Sequence, residues 1–117
     1  MEERRHINIQ YDNELRAVKD SLIYVGALTE KAIEEGMIAL LNRDTELARQ
    51  VIANDHLIDR LDSEIENKCI RLLALRQPAA RDLRFITTAI KINGHLERIG
   101  DMAVNIAEKA ILLNQEP

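Results

Sequence analysis

In 117 residues, the one interior proline, Pro78, and the polar run Asn42-Arg43-Asp44-Thr45 are the strong interruptions of an otherwise helix-period sequence. That scarcity of breakers constrains the fold more than any other feature. From about Tyr11 to Asn42, apolar residues recur at helical spacing: Leu15, Val18, Leu22, Val25, Ala32 and Ala39. Asp44 can cap the next helix, with Glu46 in its first turn. A second ladder, Val51, Ile58, Leu61, Ile65, Cys69 and Leu72, runs to Arg76. Proline cannot continue a helix but suits the first turn of a new one, so a third helix is expected from Pro78 to Asn114. Its stripe is Phe85, Ala89, Ile92, Leu96, Ile99, Ala103, Ile106, Ala110 and Leu113, alternating spacings of four and three, which reads as a packing seam. Short connections force antiparallel neighbours. The expected fold is all-α: one up-down-up three-helix bundle over 1–117, with helices at about 11–42, 44–76 and 78–114 and loose termini.

Composition excludes several classes. Sixteen basic residues against twenty acidic ones give a net charge of −4, the wrong sign for a phosphate-backbone binder. Aromatics are 3%, too few for base-stacking platforms, so no nucleic acid is expected as partner. No apolar run is long enough to span a membrane, and the opening "MEERRHINIQ" lacks a signal peptide's apolar segment, which points to the cytoplasm. Cys69 is the only cysteine, which rules out a disulfide framework and reads as a packing residue. No Gly-rich phosphate loop, Ser-His-Asp set or dinucleotide fingerprint is present, so no enzyme is expected.

Acids stand in lines on two helices. Asp55, Asp59, Asp62 and Glu66 are spaced four, three and four; Glu97, Asp101 and Asn105 follow at four and four. Asp59 and Glu97 each lie nineteen residues from Pro78, and Asp55 and Asp101 each twenty-three. In an antiparallel hairpin two D/E-x-x-x-D motifs therefore fall level. Two carboxylates about 5 Å apart repel by about 3 kcal/mol at an effective dielectric near about 20. A cation reverses that sign; without one, a carboxyl stays protonated above its usual pKa. Oxygen ligands select hard cations: Mg²⁺, Ca²⁺, Mn²⁺ or ferric iron. The candidate metal ligands are Asp55, Asp59, Glu97 and Asp101, with Asp62 and Asn105 as additional ones. Exposed acids at i, i+4 are also common without metal, and spacing alone leaves both readings open. The helical wheel sends Glu97 and Asp101 away from the Phe85 stripe, so a metal here would sit on the bundle surface. His56 and His95 project away from their acidic neighbours, and the single Glu-x-x-His match, Glu3 to His6, lies in the N-terminal segment. Around the Pro78 turn stand Arg71, Arg76, Arg81 and Arg84: either a solvated helix end, or a docking patch for an acidic partner in which Arg76, Arg81 and Arg84 take part.

The stretches "RLLALRQPAARDLR" (71–84) and "LERIGDMAVNIAE" (96–108) closely resemble the PhoU family of phosphate-uptake regulators, and the resemblance extends over nearly the whole chain. It implies two similar three-helix bundles per protein, of which this chain matches the first. It also implies multinuclear iron or zinc clusters held on the bundle surface by E(D)xxxD pairs, matched here by Asp55 with Asp59 and by Glu97 with Asp101. The expected function is that of a cytoplasmic, non-enzymatic negative regulator of phosphate uptake and phosphate-starvation signalling. It would link the ATPase of a phosphate ABC transporter to a sensor histidine kinase, with peripheral attachment at the inner face of the membrane through those partners. The alternative is a helical interaction adaptor with solvated acids and no metal. Where the family commonly carries an acid before "LERIGD", this chain has His95, which bears on the number of metals held. Leu83, Ile86 and Ile90 lie off the expected seam and would widen the apolar surface of the third helix, so a homodimer through that face is expected.

Overall fold

A computed structural model describes the backbone of residues 2–116 and the side chains of residues 8–116; the Glu3–His6 match lies outside those side chains. Three helices run up, down and up: α1 (Glu2–Leu41), α2 (Thr45–Arg76) and α3 (Ala80–Asn114). Each packs on both others, forming a rod of 71 × 21 × 16 Å. The helical reach of α1 back to Glu2 corrects the expected start near Tyr11 and the loose N-terminus. None of the helices described is long and apolar enough to cross a membrane.

Both breaks act by identifiable chemistry. Arg43 takes a left-handed backbone (φ 55°), and the Asp44 N–H donates to the Ala39 carbonyl at 2.9 Å, closing the end of α1 in a Schellman pattern without glycine. Asp44 then caps α2, its carboxylate accepting the Leu47 N–H at 3.0 Å, so helix begins at Thr45. At the second break the ring of Pro78 disfavours right-handed helix for the residue before it. Gln77 turns left-handed (φ 45°, ψ 62°), and α3 starts at Ala80, after Pro78. The expected placement of the proline inside the first helical turn is corrected accordingly.

The core follows the expected ladders on α1 and α2: Val18, Val25, Ala32 and Ala39 face Val51, Ile58, Ile65, Cys69 and Leu72. Cys69 is fully buried, which pushes its thiol pKa up. On α3 the seam has a different phase. Its buried residues are Ile86, Ala89, Asn93, Gly100, Ala103, Ala107 and Ala110, whereas Ile92 (44% exposed), Ile99 (38%) and Leu113 (49%) face outward. One half of the expected stripe, Ala89, Ala103 and Ala110, is right; the other half moves by one residue, from Phe85, Ile92, Ile99 and Ile106 to Ile86, Asn93, Gly100 and Ala107. A helix in close contact with two neighbours presents its smallest residues where the backbones approach, and the bulky isoleucines flank that line. Ile86 is therefore core, Ile90 is half-buried against it and Leu83 is exposed, so the apolar patch expected from those three does not exist as a surface.

Candidate metal centre

The α2–α3 hairpin sets the site. Asp55, Asp59 and Asp101 each place one carboxylate oxygen within 4.8 Å of the other two. Asp55 is half-buried; Asp59 and Asp101 are exposed. The antiparallel register expected from Pro78 thus brings Asp55 to Asp101 across the helix pair. Gly100 lies at this contact: a Cβ there would stand 3.4 Å from Asp55 Oδ1 and 3.7 Å from Ile58 Cγ2, ordinary van der Waals distances. Loss of water around Asp55, then the charges of Asp59 and Asp101, push its carboxyl up to about 6, with His56 pulling weakly the other way.

The remaining candidates divide. Glu97 and Asn105 are exposed and lie outside the three-acid group. Asp62 is turned inward: it is only 3% exposed, both of its carboxylate oxygens are buried without a hydrogen-bond partner, and it is not part of the group. Burial first, then the charges of Glu97, Asp59, Asp55 and Asp101, raise its carboxyl to about 6. Beside it lies Asn93, 5% exposed, which the sequence reading did not single out. Its Nδ2 donates to the Asp62 main-chain carbonyl at 2.8 Å, while its Oδ1 is unpartnered. The available signal was a polar residue seven before Gly100, in the phase of the true seam.

Chemically this is an oxygen-only, anionic site at a helix–helix junction, open to solvent on one side. Asp55, Asp59 and Asp101 suit a hard cation, which would offset the burial and the repulsion that together raise Asp55. Among the described residues, His56 and His95 are exposed and neither joins the group; His95 contacts Arg98 on its own helix.

The basic end of the rod is partly committed to folding. Arg76 Nη2 and Nε donate to Glu14 Oε1 and Oε2 at 2.7 and 3.3 Å, tying α2 to α1, so Arg76 is removed from the docking patch the sequence suggested. Arg71, Arg81 and Arg84 remain exposed. The Tyr11 hydroxyl donates to Asp82 at 2.9 Å, and burial together with that carboxylate pushes the phenol up to about 12.

Fold and site together define an all-α three-helix protein with an acid-lined junction on its long face. The PhoU domain model matches residues 22–110, and the chain belongs to the PhoU family. It is 48% identical over 104 residues to the phosphate-specific transport system accessory protein PhoU homolog of Aquifex aeolicus, covering 89% of this chain and 47% of that one. To the accessory protein PhoU of Escherichia coli it is 34% identical over 107 residues, 92% of this chain and 44% of the other. The crystal structure of PhoU from Pseudomonas aeruginosa superposes with a TM-score of 0.88 at 42% identity, covering 91% of this chain and 51% of that one. The chain therefore spans about half the length of the relatives it matches.

Proposed function

We propose that this chain is a cation-binding regulatory module of a phosphate transport system, acting without catalysis. The observation that supports it is the convergence of Asp55, Asp59 and Asp101 from two helices, three acids whose mutual repulsion a bound cation would relieve. Glu97, one turn from Asp101 but outside the three-acid group, would widen the coordination if a multinuclear cluster is held, and the family resemblance favours iron or zinc. The transport assignment rests on relatives named as accessory proteins of a phosphate-specific transport system. In this reading the ATPase of a phosphate ABC transporter and a sensor histidine kinase are the partners, with exposed Arg81 and Arg84 available to an acidic surface. Self-association, if it accompanies this role, uses exposed Ile92, Ile99 and Met102 on α3 in place of the Ile86 face; Met102→Glu should then shift the light-scattering mass of a dimer towards that of a monomer.

The test is cation binding by chelator-treated protein, measured by calorimetry with Mn²⁺, Fe²⁺ and Zn²⁺ in turn. Stoichiometric binding that Asp101→Asn weakens supports the proposal. No binding by folded protein favours the adaptor reading, in which exposed Asp59 and Asp101 are simply hydrated.

A further inference from the structure

Arg16 and Lys19 of α1 and Arg81 of α3 line a cavity of about 410 Å³ between the two helices, over an apolar floor of Leu15 and Phe85. Two acids share the lining, but Asp82 is taken by the Tyr11 hydroxyl, which leaves Asp20 alone against three cations. Further along α3, Arg84, Lys91, His95 and Arg98 follow at spacings of seven, four and three, all exposed on one face of the helix. Among the described residues, Arg16, Lys19, Arg81, Arg84, Lys91 and Arg98 form no ion pair. Asp101 and Glu97 stand on the other edge of α3, towards the acids of α2. A chain with a net charge of −4 thus presents one coherent basic edge. An open apolar strip runs beside it. Phe85 is followed at sevens by Ile92, 44% exposed, and Ile99, with exposed Met102 one turn past Arg98. The helices α1 and α3 run parallel, because Tyr11 meets Asp82 and Gly36 meets Ala103. That register sets Ile23, one turn past Lys19 and 63% exposed, level with Ile92 across the groove. Nothing lies within 4 Å of where a Cβ on Gly26 would stand, so the α1 wall stays open there.

We propose that the α1–α3 groove is the docking surface for a single amphipathic helix of a partner protein, one that carries acids along one edge of its apolar stripe. Charge complementarity selects this occupant. Its acidic edge lies against Arg84, Lys91 and Arg98, and its apolar stripe covers Ile23, Ile92 and Ile99. Two packed parallel helices leave a groove that a further helix fills as the fourth member of a bundle. A flat anionic membrane matches the surface less well, since the α1 side carries exposed Asp20 and Glu30, which such a surface repels. The proposal rests on the acidic-partner reading above, to which it adds the chemistry of the partner, and it does not depend on cation binding.

The probe is a fluorescein-labelled designed helix of about 20 residues, with leucines at alternating spacings of three and four, glutamates along one edge of that stripe and alanines elsewhere. A scrambled peptide of the same composition is the control, and fluorescence anisotropy reads binding to the full chain. The designed helix should bind about tenfold or more tighter than the scrambled one, and added salt should weaken it. Lys91→Glu/Arg98→Glu and Ile92→Ser/Ile99→Ser should each weaken it about tenfold or more. All four positions are exposed, so both variants should keep the native circular dichroism spectrum and thermal midpoint. Arg60→Glu, exposed on α2, should change affinity less than about twofold. Equal affinity for the scrambled peptide, equal affinity of native and charge-reversed protein, or no binding at about 1 mM peptide overturns the docking surface. Phosphatidylglycerol vesicles that sediment native but not charge-reversed protein, while the peptide stays free, overturn it in favour of a lipid surface. A native dimer in light scattering that Ile92→Ser/Ile99→Ser splits and the peptide does not overturns it in favour of a second copy. Mn²⁺ calorimetry on the same preparations separates the two readings: Mn²⁺ bound with the peptide free sinks the docking surface alone, and peptide bound without Mn²⁺ sinks the cation site alone.

Discussion

Asp62→Asn separates the electrostatic cost of the acid junction from its contribution to packing. The folded chain holds the Asp62 carboxyl at about 6, against about 4 for an unfolded aspartate. Since the folded state is the tighter proton binder between those values, stability falls as pH rises from about 4 to about 6 and stays low above. At about 1.4 kcal/mol per pKa unit the full penalty at pH 8 is about 3 kcal/mol. Local relaxation around the charged carboxylate lowers this, so about 1–3 kcal/mol is the expected range. Asparagine keeps the shape and carries no charge. With chelator present, Asp62→Asn should therefore melt above native protein at pH 8, by roughly 4–12 °C at about 4 °C per kcal/mol for a chain of this size. Near pH 5, where the unfolded aspartate is still ionised while folded Asp62 is largely neutral, the gap should fall to about half, and it should approach zero only near about pH 3. Thermal melts by circular dichroism at pH 8 and pH 5 measure this. A variant less stable than native protein by the same amount at pH 5 and pH 8 would show that the carboxylate has a partner it needs, and the reasoning would fail.

Three further outcomes follow from the same packing. Ala103→Asp, at a fully buried position, should cost more than about 3 kcal/mol in denaturant melts, whereas Ile99→Asp and Arg98→Asp, both at exposed positions, should each cost less than about 1.5 kcal/mol; equal losses would put the seam back in its expected phase. Asp101→Asn should raise the thermal midpoint of chelated protein slightly by removing one of three mutually repelling charges, while lowering cation affinity in calorimetry. Glu14→Ala should lower the midpoint, because it strands the Arg76 guanidinium that ties α2 to α1, and Glu14→Ala/Arg76→Ala should recover part of the loss.

Helix number, direction and hairpin register were legible because they depend on breakers and on counting. Pro78 fixes the turn whatever surrounds it, and equal distances from that turn placed Asp55 against Asp101 before any packing was known, whereas Asp59, counted level with Glu97, joins Asp55 and Asp101 instead. The phase of α3 was not legible for a physical reason. Two 3,4-spaced ladders share the alanines of that helix, one completed by Phe85, Ile92 and Ile99 and the other by Ile86, Asn93 and Gly100. Hydrophobicity ranks the first ladder higher. Close approach of two neighbouring backbones selects the second, because glycine and alanine occupy the narrowest space. The inward turn of Asp62 was hidden by the same bias: an aspartate in an acid line reads as solvated, yet its neighbours in the core, Ile58, Ile65 and Cys69, lie four before and three and seven after it.

The small residues of the seam also explain why the acids meet where they do. On one side of α3, α1 comes close at Gly36, whose Cβ position lies 3.4 Å from the Ala103 carbonyl oxygen. On the other side α2 comes close at Gly100, against Asp55 and Ile58. The two contacts fall three residues apart on α3, so both neighbours approach it within a single helical turn. Helices held this near carry the residues beside the seam towards each other as well, and on the α2 side those residues are Asp55, Asp59 and Asp101. The short-range packing of the core and the long-range repulsion of the acids thus oppose each other at one level of the rod. In the cation-binding reading, an ion at that level would satisfy both, since it would let the helices remain close while neutralising what the closeness brings together.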